Sequence, residues 1–160
     1  MDKSFVNYAH RGASHYAPEN TLMSFYLGMQ MGANGIETDV HRTKDGVIVL
    51  FHDDTLDRVS NMQGKLSDYT WDELKEAEIY GSCTTGFCDR NVTVREFLQK
   101  FSRYDIHFAI ELKGADVEKE TLEMVKAFGI MDKTTFTSFA FEHIAKIKEL
   151  FKDELNADWT

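Results

Sequence analysis

At 160 residues the chain is long enough for one domain with a substantial core. Its 42% hydrophobic and 12% aromatic content excludes a disordered chain, and a formal net charge of −9 argues against nucleic acid or an anionic membrane surface as a standing partner, since both call for Lys and Arg. No apolar run approaches the ~20 residues of a membrane span, and Met1 to Tyr8 lacks the apolar stretch of a secretory signal, so a cytoplasmic protein without stable membrane association is expected.

Phe5 to Ala9 reads as a short buried strand that ends in His10-Arg11-Gly12. Asn20 or Thr21 can cap a helix whose apolar positions, Leu22, Phe25, Tyr26 and Met29, recur at helical spacing, with Gly32 as the stop. Gly35 to Val40 is a second strand and Val47 to Phe51 a third, ending in His52-Asp53. Between them Thr43-Lys44-Asp45-Gly46 contains a tight turn. Roughly six residues cannot hold a crossover helix, so the third strand either returns parallel through a bare extended segment or turns back as a hairpin at Asp45-Gly46.

Asp54 to Ser67 is polar and turn-like. Thr70-Trp71-Asp72-Glu73 has capping-box spacing and opens a helix running to about Ile79. Tyr80 to Asn91 is irregular and carries Cys83 and Cys88, which read as ordinary loop thiols. Thr93-Val94-Arg95-Glu96 is a second capping box, with Val94, Phe97, Leu98 and Phe101 on one helical face. Ile106 to Leu112 is a fourth strand, Asp116 to Phe128 a helix stopped by Gly129, Thr134 to Phe139 a fifth strand, and Phe141 to Phe151 a last helix before a polar tail. Strands alternating with helices predict an α/β fold built on a parallel sheet.

The strands end in chemically capable residues: His10-Arg11, Glu37-Thr38-Asp39, His52-Asp53 and Glu111-Leu112-Lys113. In a parallel barrel such ends share one rim, where barrel active sites sit. Side chains alternate along a strand, so Glu37 and Asp39 face one side together. Three gathered carboxylates repel one another unless a cation sits between them, and oxygen ligands without Cys suit Mg²⁺, Ca²⁺ or Mn²⁺. Two histidines across such a site could act as acid and base, and Arg11 and Lys113 could hold a phosphate. Each item has a plainer reading: Glu37 and Asp39 as solvated charges, Glu111 and Lys113 as an ion pair, His52-Asp53 as turn residues. Their repeated placement at strand ends favours the site. His15, His41, His107 and His143 have no such context and are read as structural or surface residues.

The blocks Ala9-His10-Arg11-Gly12-Ala13, Pro18-Glu19-Asn20-Thr21, Gly32 to Val40, Thr43 to Gly46, Val49 to Asp53, Ile110 to Lys113 and Ser138-Phe139 make the sequence resemble the glycerophosphodiester phosphodiesterase family over about residues 5 to 150. The resemblance implies a (β/α)8 TIM-barrel-like fold without the usual second helix, with a small insertion at about 54 to 91 and a parallel return for the third strand. It implies that Glu37, Asp39 and Glu111 bind a divalent cation, Mg²⁺ or Ca²⁺ with Mn²⁺ a further candidate, and that His10 and His52 are the catalytic acid/base pair. Arg11 and Lys113 would contact the phosphate, and Glu19 and Asn20 would support the first loop. The implied reaction is hydrolysis of a small-molecule glycerophosphodiester to sn-glycerol 3-phosphate and an alcohol. Alternatives are a phospholipase-type phosphodiesterase on the same barrel or an inactive binding module. Complete barrels of this type run to about 250 residues, so the expectation is a single barrel domain truncated after about five strands, whose open edges would invite an oligomer.

Overall fold

A computed structural model describes residues 5–81 and 86–157. Strand β1 (Tyr8–His10) leads through a loop into helix α1 (Leu22–Gln30), then β2 (Gly35–Arg42) and β3 (Ile48–Leu50). A 3-10 turn at Leu66–Asp68 precedes α2 (Trp71–Leu74), and β4 (Glu78–Tyr80) pairs with β5 (Cys88–Arg90) as a small separate sheet. The chain continues through β6 (Val92–Thr93), α3 (Val94–Phe101), β7 (His107–Leu112), α4 (Glu118–Ala127), β8 (Thr134–Thr137) and α5 (Phe141–Ala157). No helix among the described residues is long and apolar enough to cross a membrane.

The main sheet runs β6-β3-β2-β7-β8, with β1 also paired to β2. Strands β1, β2, β7 and β8 are mutually parallel, with helices in the connections between them. This is the α/β architecture of the barrel type expected from the sequence. Because β7 occupies one edge of β2 from Gly35 to Val40, β1 and β3 must share the other: β1 takes Gly35 to Glu37, and β3 takes Val40 to Arg42.

The β2–β3 pair corrects the expected parallel return. It is antiparallel, with Val40 opposite Leu50 and Arg42 opposite Ile48. The turn closes through bonds from Thr43 N to Val47 O and from Gly46 N to Thr43 O, both 3.0 Å. Gly46 takes φ +89°, a conformation that side chains resist. So short a connection favours the antiparallel partner, since a parallel crossover usually takes about a dozen residues or more. The third of the five expected strands is therefore a hairpin arm extending β2. The helix expected to reach Ile79 also ends early, at Leu74, because Glu78–Tyr80 goes into the pairing with β5. The last helix runs six residues past Phe151, to Ala157, over residues free of Gly and Pro. Cys88 is exposed on β5, and Cys83 lies outside the described residues.

Strand alternation divides the interior. On β2 and β7, Ile36, Val40, Phe108, Ile110 and Leu112 face the helices, where they join Phe25, Phe97, Leu98, Phe101, Leu122, Val125 and Ile147 in the main core. Phe97 is central to it, with ring centroids 4.9 Å from Phe25, 5.4 Å from Phe101 and 5.9 Å from Phe108. β3 serves two cores: Ile48 and Leu50 point into the main one, while Val49 packs with Phe51, Leu56, Val59, Leu66, Leu74 and Ile79 in a second. The capping box at Thr93 forms as the sequence predicts, with Glu96 N donating to Thr93 Oγ1 at 3.1 Å and Thr93 N to Glu96 Oε2 at 3.0 Å.

These roles predict a graded stability loss on denaturant unfolding. Phe97→Ala should cost about 3–5 kcal/mol through loss of burial and the cavity left behind, and Thr93→Ala only about 1 kcal/mol. Equal costs would contradict the packing described.

Candidate metal centre and active site

The face of β2 turned away from the helices carries Glu37, Asp39 and His41, and that of β7 carries Ala109 and Glu111. Parallel pairing sets Asp39 opposite Glu111, and Glu37 opposite both His10 on β1 and Ala109 on β7. Neighbouring strands lie about 4.8 Å apart. Register alone therefore gathers the carboxylates: one oxygen from each of Glu37, Asp39 and Glu111 lies within 4.8 Å of the others. His10 Nε2 stands 3.8 Å from Glu37 Oε2, on a side chain that remains largely exposed.

The β1–α1 loop closes over this cluster. Arg11 adopts φ +56° and Asn20 φ +57°, left-handed conformations uncommon for residues other than glycine. Arg11 N donates to both the backbone oxygen of Glu37 at 3.0 Å and its Oε2 at 3.1 Å. Thr21, not Asn20, caps α1 by accepting from Ser24 N at 3.3 Å. Asn20 is left to donate to Asp39 Oδ2 at 3.0 Å while accepting from Thr38 Oγ1 at 2.7 Å. Gly12 is held against Ser24 at φ +80°, where any side chain would collide with it.

Cations surround the acids. Arg11 Nε is 3.3 Å from Asp39 Oδ2, and its Nη1 is 3.4 Å from Glu19 Oε1. Lys113 Nζ is 3.3 Å from Glu111 Oε1 and 3.7 Å from Asp39 Oδ1. Even so, burial pushes the Glu37 carboxyl up to about 7, with the Asp39 charge adding to the rise. The Arg11 N–H and charge pull it down, and the Glu111 charge raises it again.

These residues fit a divalent cation. Asp39 is fully buried, and its Oδ1 accepts no hydrogen bond. Such an atom is costly to bury without a partner, and a cation between three hard oxygens would supply one.

His52 reaches this set through a relay. Its Nδ1 bonds Asp53 Oδ1, Arg58 Nε donates to Asp53 Oδ2, and Arg58 forks onto Glu19. Glu19 in turn meets Arg11. Arg58 has no place in the sequence reading, because it lies in a polar segment without periodicity or motif. His41 is buried, with Nε2 3.2 Å from the His52 backbone oxygen, and burial holds its pKa below the usual value. His143 is structural, paired with Glu118 at 2.8 Å.

The model of the glycerophosphoryl diester phosphodiesterase family matches residues 10–153. A glycerophosphodiester phosphodiesterase of Caldanaerobacter subterraneus subsp. tengcongensis is 32% identical over 150 residues, covering 89% of this chain and 61% of that protein. The crystal structure of glycerophosphodiester phosphodiesterase from Agrobacterium tumefaciens superposes with a TM-score of 0.83 at 28% identity, over 91% of this chain and 63% of that one. An Oleispira antarctica phosphodiesterase, solved in complex with the product sn-glycerol-3-phosphate, gives a TM-score of 0.80 at 32% identity, over 93% of this chain and 64% of that one. The chain spans 59–61% of the length of the first curated relatives it matches.

The raised Glu37 value sets a pH dependence. Its folded-state pKa of about 7 lies above the ordinary 4.5, so the metal-free fold binds a proton that the unfolded chain does not, and loses stability as pH rises between those values. A cation takes the proton's place. Saturating Mg²⁺ or Ca²⁺ should raise the Tm by roughly 5–10 °C at a pH of about 8 and much less at about 5, read by thermal unfolding. Equal shifts at both pH values, or a full shift in Glu111→Ala, would contradict the assignment.

Proposed function

The chain belongs to the glycerophosphoryl diester phosphodiesterase family, and from that membership we propose that its site hydrolyses glycerophosphodiesters to sn-glycerol 3-phosphate and an alcohol. The carrying observation is the carboxylate trio, held by strand register within 4.8 Å beside a histidine. The all-oxygen donor set suits Mg²⁺ or Ca²⁺. When bound, the ion supplies a Lewis acid that polarises a phosphoryl oxygen.

The remaining work falls to the chain itself. Glu37, Asp39 and Glu111 would hold the ion. His10 sits with Nε2 against Glu37, at the edge of the cluster and open to solvent, in a position to exchange a proton with a substrate oxygen. His52 has Nδ1 engaged by Asp53, which leaves Nε2 as the nitrogen that gives or takes a proton. One of the two imidazoles removes the proton from the attacking hydroxyl and the other protonates the departing alkoxide. Arg11 and Lys113 already flank the acids. With a cation neutralising those acids, their positive charge turns to the phosphoryl oxygens and offsets the negative charge that develops there.

The purified chain with Mg²⁺ or Ca²⁺ should release sn-glycerol 3-phosphate from glycerophosphocholine, and chelation or Glu37→Ala should stop it. Release that survives both would refute the metal-dependent reading, and a preference for acylated substrates would move the assignment to a phospholipase-type enzyme. His10→Asn and His52→Asn should each flatten one limb of the pH–rate profile. An unchanged bell in both variants would remove the acid/base roles.

A further inference from the structure

Arg58 takes no part in the chemistry above, yet its guanidinium joins two segments that the chemistry needs held together. One edge forks onto Glu19 of the β1–α1 loop, with Nη1 donating to Oε2 at 2.9 Å and Nη2 to Oε1 at 2.7 Å. Nε donates to Asp53 Oδ2. The second Asp53 oxygen meets His52 Nδ1. Glu19 is nearly buried, and it also touches Arg11, which reaches Asp39.

We propose that Arg58 is a positioning residue for His52: by binding Glu19 and Asp53 with one rigid plane, it fixes the Asp53 carboxylate as the acceptor for His52 Nδ1–H and leaves Nε2 free. A planar guanidinium can meet two carboxylates along two edges, which a lysine ammonium cannot reproduce. Without Arg58, Asp53 loses the partner that orients it, and on a side chain about a quarter exposed it is free to turn toward water. Glu19 loses its fork as well, and the first loop loses its tie to the segment after β3. The charges do not compete with this arrangement. Burial pushes both carboxyls up, but Arg58, together with the Arg11 and His52 charges at Glu19 and the His52 bond and charge at Asp53, outweighs it, and each stays below its ordinary value. The groups around His52 are Asp53 beside it, His41 of β2 at its backbone oxygen, and Glu19 and Arg58 beyond Asp53.

The clamp's effect on the reaction rests on His52 carrying a proton, as proposed above, but its geometry can be read without activity. Nitrogen-15 NMR of the imidazole rings in the whole chain reports which ring nitrogen holds the proton, with the His52 signals assigned by their loss in His52→Asn. The neutral wild-type ring should show a single tautomer protonated at Nδ1. Arg58→Ala should populate both tautomers and Arg58→Lys should do so in part, while His143, paired with Glu118 away from the clamp, keeps its spectrum. If Arg58→Ala does not fold, Arg58→Lys alone decides. An unchanged His52 tautomer in a folded variant overturns the proposal. A tautomer lost on removing Arg58, together with full hydrolysis in His52→Asn, would uphold the clamp and overturn the catalytic reading of His52.

Discussion

Three like charges held side by side by a sheet are the constraint around which this molecule is arranged. Glu37 and Asp39 share one face of β2 because side chains alternate, and Glu111 joins them because β7 pairs in register with Asp39 opposite it. Rigid backbone pairing leaves these groups little room to move apart. Glu37 shows the cost: burial first, and then the neighbouring Asp39 charge, push its carboxyl up to about 7.

The surroundings relieve the repulsion without removing it. Arg11 approaches Asp39 from the first loop and Lys113 from the end of β7. Asn20 donates to one Asp39 oxygen, and the other accepts no hydrogen bond. A second ring of charge, Glu19, Arg58 and Asp53, ties that loop to the segment carrying His52. The helix-side core is indifferent to these charges. Phe97 and its aromatic neighbours fix the strands from behind, so the acids face forward on a frame whose stability comes from elsewhere.

Much of this was legible in the sequence, and what was missed has physical reasons. His10 and Glu111 could be found because each stands at or next to the end of a strand, and Glu37 and Asp39, which the structure places inside β2 and not at its end, because residues two apart share one face of a strand. Alternation does not say which strands pair, in which direction, or in what register. The five-residue link between Arg42 and Ile48 was compatible on paper with two answers, and the backbone took the hairpin. Thr70 announced a helix correctly, but nothing after Leu74 signalled that Glu78 would leave it for a partner strand. Arg58 was out of reach altogether. Its meaning lies in contacts with Glu19, 39 residues away in sequence, and with Asp53, in a stretch with no periodic pattern. Asn20 was only half legible, since cap and site support are both natural for it, and Thr21 settles the matter by doing the capping.

The account stands on a cation resting among the three carboxylates. Anomalous diffraction from crystals of this chain grown with Mn²⁺ addresses that directly. The prediction is a single strong peak with oxygens of Glu37, Asp39 and Glu111 all about 2.0–2.6 Å from it. Density with no peak between them, or with Glu111 turned away from an ion held elsewhere, would contradict it.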